Sequence, residues 1–236
     1  MKILAIETAT AASSVALGDG DSLAAMAVNV DRRGHVGFLI PAVEFCFSQA
    51  GWKRDDVEVV AVDVGPGGFT GLRAGIATAQ SFAAAIGAPL VCASSLTAIA
   101  VRAATGRRRI WAIVDMRRGQ IAVAPYQPLP GGVAPDGGAE LLSPEEFRAT
   151  LDSDPADTLV VGDWGVLPDR LFSGLHRVKR GRPRYPSAEV LLEIAAQQAA
   201  RGEWVRPEDV RPDYMRVPDV QINWQEFRSE GVWPEQ

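Results

Sequence analysis

The stretch Val57-Glu58-Val59-Val60-Ala61-Val62-Asp63-Val64-Gly65-Pro66-Gly67-Gly68-Phe69-Thr70-Gly71-Leu72-Arg73-Ala74-Gly75 decides the architecture of this chain. Val57 to Val64 is an apolar, valine-rich run of strand length, and Gly65-Pro66-Gly67-Gly68 is a turn that neither helix nor strand continues. The small-residue segment beyond it runs unbroken to about Ile86 before Gly87, which predicts a helix with Thr70 as its N-cap. A strand that feeds a helix in this way belongs to an α/β arrangement.

Upstream, Ile3 to Glu7 reads as a buried strand, Ser14 to Leu17 as a second and Ser22 to Val30 as a third, together a three-stranded meander. His35 to Ala50 has helical spacing, with Val36, Leu39, Ile40, Val43, Phe47 and Ala50 on the face assigned to the core, and Gly51 ends it. Leu90 to Cys92 is a short strand downstream. Three strands, helix, strand, helix, strand fit a ribonuclease-H-like α/β lobe with a mixed sheet. The pattern then restarts: Ile110 to Asp115, a polar turn, and Ile121 to Ala124 repeat the apolar strand, acidic end, turn and second strand of Ile3 to Leu17. Two related lobes are expected, 1–104 and a shortened 105–236. Four prolines and four glycines between Pro125 and Gly138 predict an irregular loop within the second lobe. Leu159 to Gly162 predicts a strand and Ser187 to Arg201 a helix with Ser187 as N-cap; the Pro- and Trp-rich tail is expected to run extended across the surface.

The 236 residues are 47% hydrophobic and 22% charged, ordinary for a globular chain and far from disordered or fibrous compositions. A net charge of −5 argues against a chain that grips nucleic acid alone. Cys46 and Cys92 sit in apolar segments without metal or disulfide spacing, so reduced structural thiols are expected. The opening meets Glu7 after four apolar positions, too short for a signal-peptide core, and no apolar run reaches membrane-spanning length; a cytoplasmic protein is expected.

Among segments that could carry chemistry, the glycine turn has two readings. Gly65, Gly67, Gly68 and Thr70 could present amides and a hydroxyl to a phosphate, or form a turn that is structural only. The absence of a following Lys and of Gly-x-Gly-x-x-Gly spacing favours the structural turn. Glu7 and Asp115 stand where paired lobes would handle phosphate and magnesium, but a carboxylate at a strand end is more often a turn acceptor. With two histidines, His35 and His176, no metal centre is expected and no catalytic set can be composed. The His35 helix carries a second apolar row, Phe38, Ala42 and Phe45, and the following helix is small or apolar nearly all round, with Leu72, Gly75, Ala79 and Ala83 on the row expected to meet a partner. Arg177, Lys179, Arg180, Arg182 and Arg184 crowd five positive charges into eight residues, either a solvated loop or a contact to an RNA backbone.

The segments Ile3 to Thr10, His35 to Pro41, Gly65 to Gly75, Ser94-Ser95-Leu96, Asp115 to Gly119 and Pro212 to Arg216 resemble, in order, the TsaB family of bacterial tRNA threonylcarbamoyladenosine biosynthesis. The resemblance covers nearly the whole chain, and its glycine motif is the specific part; Gly68 stands where many relatives have Ser. It implies two lobes of the actin-like ATPase (ASKHA) fold and a non-catalytic scaffold without cofactor. It further implies that the two N-terminal helices bind a TsaD-like transferase, that a TsaE-like ATPase joins them, and that tRNA is reached through the complex, with a homodimer as the alternative when the chain is alone. TsaD-like enzymes hold a metal through a His-x-x-x-His pair where this chain reads Ser95-Leu96-Thr97-Ala98-Ile99. A glycoprotease-like metallopeptidase or a small-molecule kinase of the same fold are the rival expectations.

Overall fold

The computed structural model describes residues 1–20, 22–104 and 106–215. Strand β1 (Lys2–Glu7) pairs antiparallel with β2 (Ala12–Asp19), which pairs antiparallel with β3 (Ser22–Val30). Helix α1 (His35–Ala50) carries the chain over to β4 (Val59–Gly65), parallel to β1, and α2 (Phe69–Ile86) carries it to β5 (Leu90–Ser94), parallel to β4. The sheet order is β3-β2-β1-β4-β5. Both helices end as expected: Gly51 and Gly87 adopt left-handed conformations at φ 66° and 72°, where a side chain would be strained.

After α3 (Ser95–Ala103) the plan repeats. β6 (Arg109–Asp115) pairs antiparallel with β7 (Ile121–Leu129), and β7 with β8 (Gly132–Pro135) and the short β9 (Glu140–Leu142). Helix α4 (Pro144–Ser153) leads to β10 (Thr158–Gly162), parallel to β6, and β11 (Val178–Arg180) lies parallel to β10. The order β11-β10-β6-β7-β8 is that of the first sheet read from its other edge. Where α2 joins the fourth and fifth strands of the first sheet, the second has only 3-10 turns, Trp164–Val166 and Asp169–Phe172.

Alternate residues of β1 fix the layers, because successive side chains point to opposite faces. Leu4 and Ile6 pack with α1 and α2, whereas Ile3 and Ala5 pack against α5 (Ala188–Ala200). In the second sheet Ile110, Ala112 and Val114 meet α3, and Trp111 and Ile113 meet Phe147 and Leu151 of α4. The strands of the two sheets lie within 2–94 and 109–180, but α5 comes from the end of the chain to cover the first sheet, and α3 from before the second sheet to cover that one. A cut at 104/105 therefore crosses the packing. The described tail follows α5 onto the first lobe: Leu90 and Val205 exchange backbone hydrogen bonds at 2.9 and 2.7 Å, and Val210 is buried among α2 and its neighbours. Beyond Met215 the tail, with Arg216, lies outside the described residues.

Three local expectations are corrected. Helix α2 starts at Phe69 with Gly68 at the N-cap, so Thr70 sits inside its first turn. The Pro/Gly segment is a hairpin: β7 runs through Pro125 and Pro128, and Pro130-Gly131, with Gly131 at φ 82°, makes the two-residue turn into β8. Ser187 does occupy the N-cap of α5, but its hydroxyl is unbonded; Ser14 Oγ on β2 accepts the Ala188 amide at 2.9 Å instead. A hydroxyl 174 residues away in sequence caps the helix because α5 docks on the first sheet.

Candidate functional site

The glycine motif is a close-packing seam. Gly67, Gly71 and Gly75 recur every four residues and so line one stripe where α2 meets the turn after β1. A Cβ added at these positions would stand 2.2 Å from the Ala9 carbonyl oxygen, the Thr8 carbonyl oxygen and Thr8 Oγ1 respectively. The absent side chains let Thr8 Oγ1 donate to the Gly71 carbonyl at 2.8 Å and the Gly68 amide donate to the Ala9 carbonyl at 2.7 Å. The Gly65 amide donates to Asp63 Oδ1 at 2.8 Å. Two of the amides that a phosphate cradle would need are thus spent inside the protein, which supports the structural-turn reading of Gly65, Gly67 and Gly68.

Between the lobes lies a cleft of about 430 Å³, lined from the first lobe by Thr8, Thr10, Arg32, His35 and Thr70 and from the second by Asp115, Arg117 and Asp163. Arg32 reaches across it, 3.7 Å from Asp115 and 3.8 Å from Asp163, and Arg117 adds a second pair to Asp115 at 3.7 Å. Asp115 Oδ1 also accepts the Arg117 amide at 2.9 Å, and Glu7 Oε1 accepts the Ala9 amide at 2.8 Å. The two repeat-related carboxylates thus do the same work, closing the turn after the first strand of each lobe. His35 Nε2 lies 2.7 Å from the Thr10 carbonyl oxygen and ties the start of α1 to that turn. His176 is in the other lobe, on a separate surface depression.

Asp63 was not singled out from the sequence, yet it forms a buried carboxylate pair with Glu7. Burial, with the Asp63 charge second, raises the Glu7 carboxyl well above its ordinary range, and burial pushes Asp63 up to about 7 against hydrogen bonds from Ser95 and Gly65 that lower it. Ser95 Oγ donates to Asp63 Oδ1 at 2.7 Å, while Oδ2 is buried without a partner. The available signal was a carboxylate two residues before Gly65, in the setting of Glu7 before Ala9. Among the described residues no group of three or more His, Cys, Asp or Glu is placed to hold a metal ion.

The outward face of the first lobe differs from the expected one. Val36 and Ile40, assigned to the core, are 65% and 59% exposed, while Ala42 is buried and Phe38 packs against the core; of the second apolar row only Phe45 faces out. Leu72, Gly75, Ala79 and Ala83 are all buried, because the glycine seam turns that side of α2 inward. The exposed stripe of α2 is Thr70, Arg73, Ala77, Ser81 and Ala84. At its start Phe69 stacks on Tyr214 at 5.3 Å, and Arg73 Nε donates to the Tyr214 hydroxyl at 2.9 Å. The arginine-rich run is divided as well. Arg180 pairs with Asp169 at 2.6 Å and lies 5.0 Å over the Trp164 ring, Arg177 and Lys179 are exposed at that edge of the second sheet, and Arg182 and Arg184 turn toward the lobe junction.

Two sheets of one strand order, facing each other across a cleft, define a two-lobed protein of the actin-like ATPase fold. A family model described as TsaD, tRNA N6-adenosine threonylcarbamoyltransferase, matches residues 29–149. The tRNA threonylcarbamoyladenosine biosynthesis protein TsaB of Escherichia coli strain K12 is 33% identical over 220 residues, 92% of this chain and 95% of that one. The protein of the same name in Bacillus subtilis is 27% identical across 97% of this chain. A crystal structure from Pseudomonas aeruginosa, described as an uncharacterized protein with similarity to peptidase YEAZ, has a TM-score of 0.79 at 32% identity, covering 91% of this chain and 99% of its own. The chain belongs to the TsaB family.

Proposed function

We propose that this chain serves tRNA threonylcarbamoyladenosine formation as a non-catalytic scaffold in the cytoplasm, docking a TsaD-like transferase on the outward face of α1 and α2, with a TsaE-like ATPase joining the pair. The observation that carries the reading is the set of exposed apolar side chains on α1, Val36 and Ile40 one turn apart and Phe45 further round the helix, together with the exposed small residues Ala77, Ser81 and Ala84 of α2. Large apolar side chains near exposed small ones suit a packed helical interface, where small residues allow close approach and aromatics supply area. The interface is thus assigned to exposed residues, with Phe45 retained from the expected row and Phe38, Ala42, Leu72, Gly75, Ala79 and Ala83 acting as support beneath it. The same face is the one through which the chain would pair with itself when the transferase is absent.

The peptidase and kinase readings draw no support from the cleft. Its carboxylate Asp115 is neutralised by Arg32 and Arg117, and the two histidines stand in different lobes. The test is co-purification of the tag-cleaved chain with the cognate TsaD-like protein, comparing wild type with Ile40→Glu and Phe45→Glu, and with Leu129→Glu on the second lobe as control. Both α1 variants are expected to lose the complex while keeping the wild-type melting temperature. Retention of the complex by both would overturn the assignment.

A further inference from the structure

A second groove, of about 620 Å³, opens at the lobe junction and shares no lining residue with the cleft. The Arg184–Asp163 ion pair, at 3.4 Å, stands between the two. One wall is apolar, formed by Met26, Val28 and Val30 of β3, the edge strand of the first sheet, with Val28 and Val30 56% and 62% exposed. The opposite wall carries Arg102 from α3 and Arg182, Arg184 and Tyr185 from the segment before α5. No carboxylate lines it among the described residues. Arg184 is paired with Asp163 and lies 5.4 Å over the Tyr185 ring, but Arg102 and Arg182 have no acceptor among the described residues. Ser187, almost wholly buried, lines the same groove with its hydroxyl unbonded.

Three guanidinium groups converging on one groove, in a chain of net charge −5, form a local field that an anion would relieve. Planar guanidinium forks match phosphate oxygens, and an aromatic ring beside an apolar wall offers a face for a base. The volume lies within the roughly 300–1,000 Å³ typical of small-ligand sites. We propose that this groove binds a single-stranded RNA segment, one phosphate held by Arg102 and Arg182 and its base laid against Tyr185 and the β3 valines. The inference rests on the proposed role in tRNA modification and names where this chain touches the RNA. It keeps Arg182 and Arg184 from the basic run, adds Arg102, and leaves Arg177, Lys179 and Arg180 out of the site.

The experiment measures fluorescence anisotropy of a short, labelled, mixed-sequence oligoribonucleotide with the full chain across a salt series. Wild type is compared with Arg102→Gln/Arg182→Gln and with the charge-matched Arg177→Gln/Lys179→Gln. The groove double is expected to weaken binding roughly tenfold or more, and to flatten the logarithmic salt slope by about 0.7, the loss of one phosphate contact on a single strand. The control double should change neither, and all three proteins should melt together. Equal weakening by both doubles would reveal diffuse electrostatics and overturn the proposal, as would no binding at low salt. Adenosine monophosphate or a glutamate-rich peptide displacing the oligonucleotide at its own affinity would assign the groove to free nucleotide or to protein, and overturn it too. The groove double should still co-purify with the TsaD-like protein, so a failure here leaves the α1–α2 docking reading standing. Loss of that complex would make the groove a protein interface and refute the RNA site.

Discussion

Replacing Gly71 by alanine tests the seam that holds the first lobe together. The new Cβ would stand 2.2 Å from the Thr8 carbonyl oxygen, where carbon and carbonyl oxygen ordinarily approach to about 3.3 Å. About 1 Å of retreat is required, and neither partner is free to give it. Thr8 belongs to the turn closed by Glu7 and Ala9, and α2 is held from behind by the buried Leu72, Ile76, Ala79 and Ala83. Overpacking of this kind costs roughly 1–3 kcal/mol, with the upper end expected against backbone. Alanine's better helix propensity returns about 1 kcal/mol, leaving a net loss of about 2 kcal/mol. For 236 residues, at about 2–4 °C per kcal/mol, the melting temperature should fall by about 4–8 °C. Gly37→Ala is the internal control: it is exposed in α1 with nothing within 4 Å of its added Cβ, so propensity alone acts and the protein should melt slightly higher. Thermal unfolding followed by circular dichroism reads both. If Gly71→Ala melts at or above wild type, the glycines are not a packing seam and the reasoning fails.

Three further outcomes follow from the same geometry. The raised Asp63 carboxyl keeps its proton in the folded state, up to about pH 7, after the unfolded chain has lost it near 3.8, so stability falls as pH rises between those values. Asp63→Asn should remove that slope, narrowing the difference in urea stability between pH 5 and pH 8 by roughly 2–3 kcal/mol; an unchanged difference would show that Asp63 ionises normally. Ser14→Ala leaves the buried Ala188 amide without its acceptor and should cost about 1–3 kcal/mol in urea unfolding, whereas Ser187→Ala, whose hydroxyl is unbonded, should cost less than Ser14→Ala. Phe147→Ala, which removes a fully buried ring on α4 packed against Trp111 of β6, should destabilise by about 3–5 kcal/mol, and a loss below about 1 kcal/mol would contradict that packing.

Much of the fold was legible because its signals are local. Glycines at 51 and 87 fix helix ends through their own backbone freedom, an alternation or run of apolar residues marks β1 to β7 and β10 but not the short β8, β9 and β11, and the order of elements carried the two-lobe repeat. Local signals did not place the carboxylate pair. Asp63 reads as a polar interruption in a valine strand, and its partner Glu7 lies on a strand that pairs with it only once the parallel sheet has formed. The hairpin at Pro130-Gly131 was hidden by a composition that elsewhere means loop, since prolines are tolerated where their missing N–H costs no ladder bond.

The sequence by itself determined the strands of the first sheet, the repeat of the strand plan and the family, because periodicity, turn chemistry and motif order are written residue by residue. Only the tertiary structure decided which face of each helix is free. Helices α1 and α2 are apolar on several sides, so periodicity alone assigned Val36 and Ile40 to the core and Leu72, Gly75, Ala79 and Ala83 to a partner. The contact of Gly67, Gly71 and Gly75 with Thr8 and Ala9 sets the rotation of α2 and turns its row inward, while the packing of α1 on β2 and β3 leaves Val36 and Ile40 exposed. The same holds for the basic run: five charges within eight residues are neighbours in sequence, but β11 ends at Arg180, only Arg182 and Arg184 beyond it line the groove, and an arginine from α3 completes it.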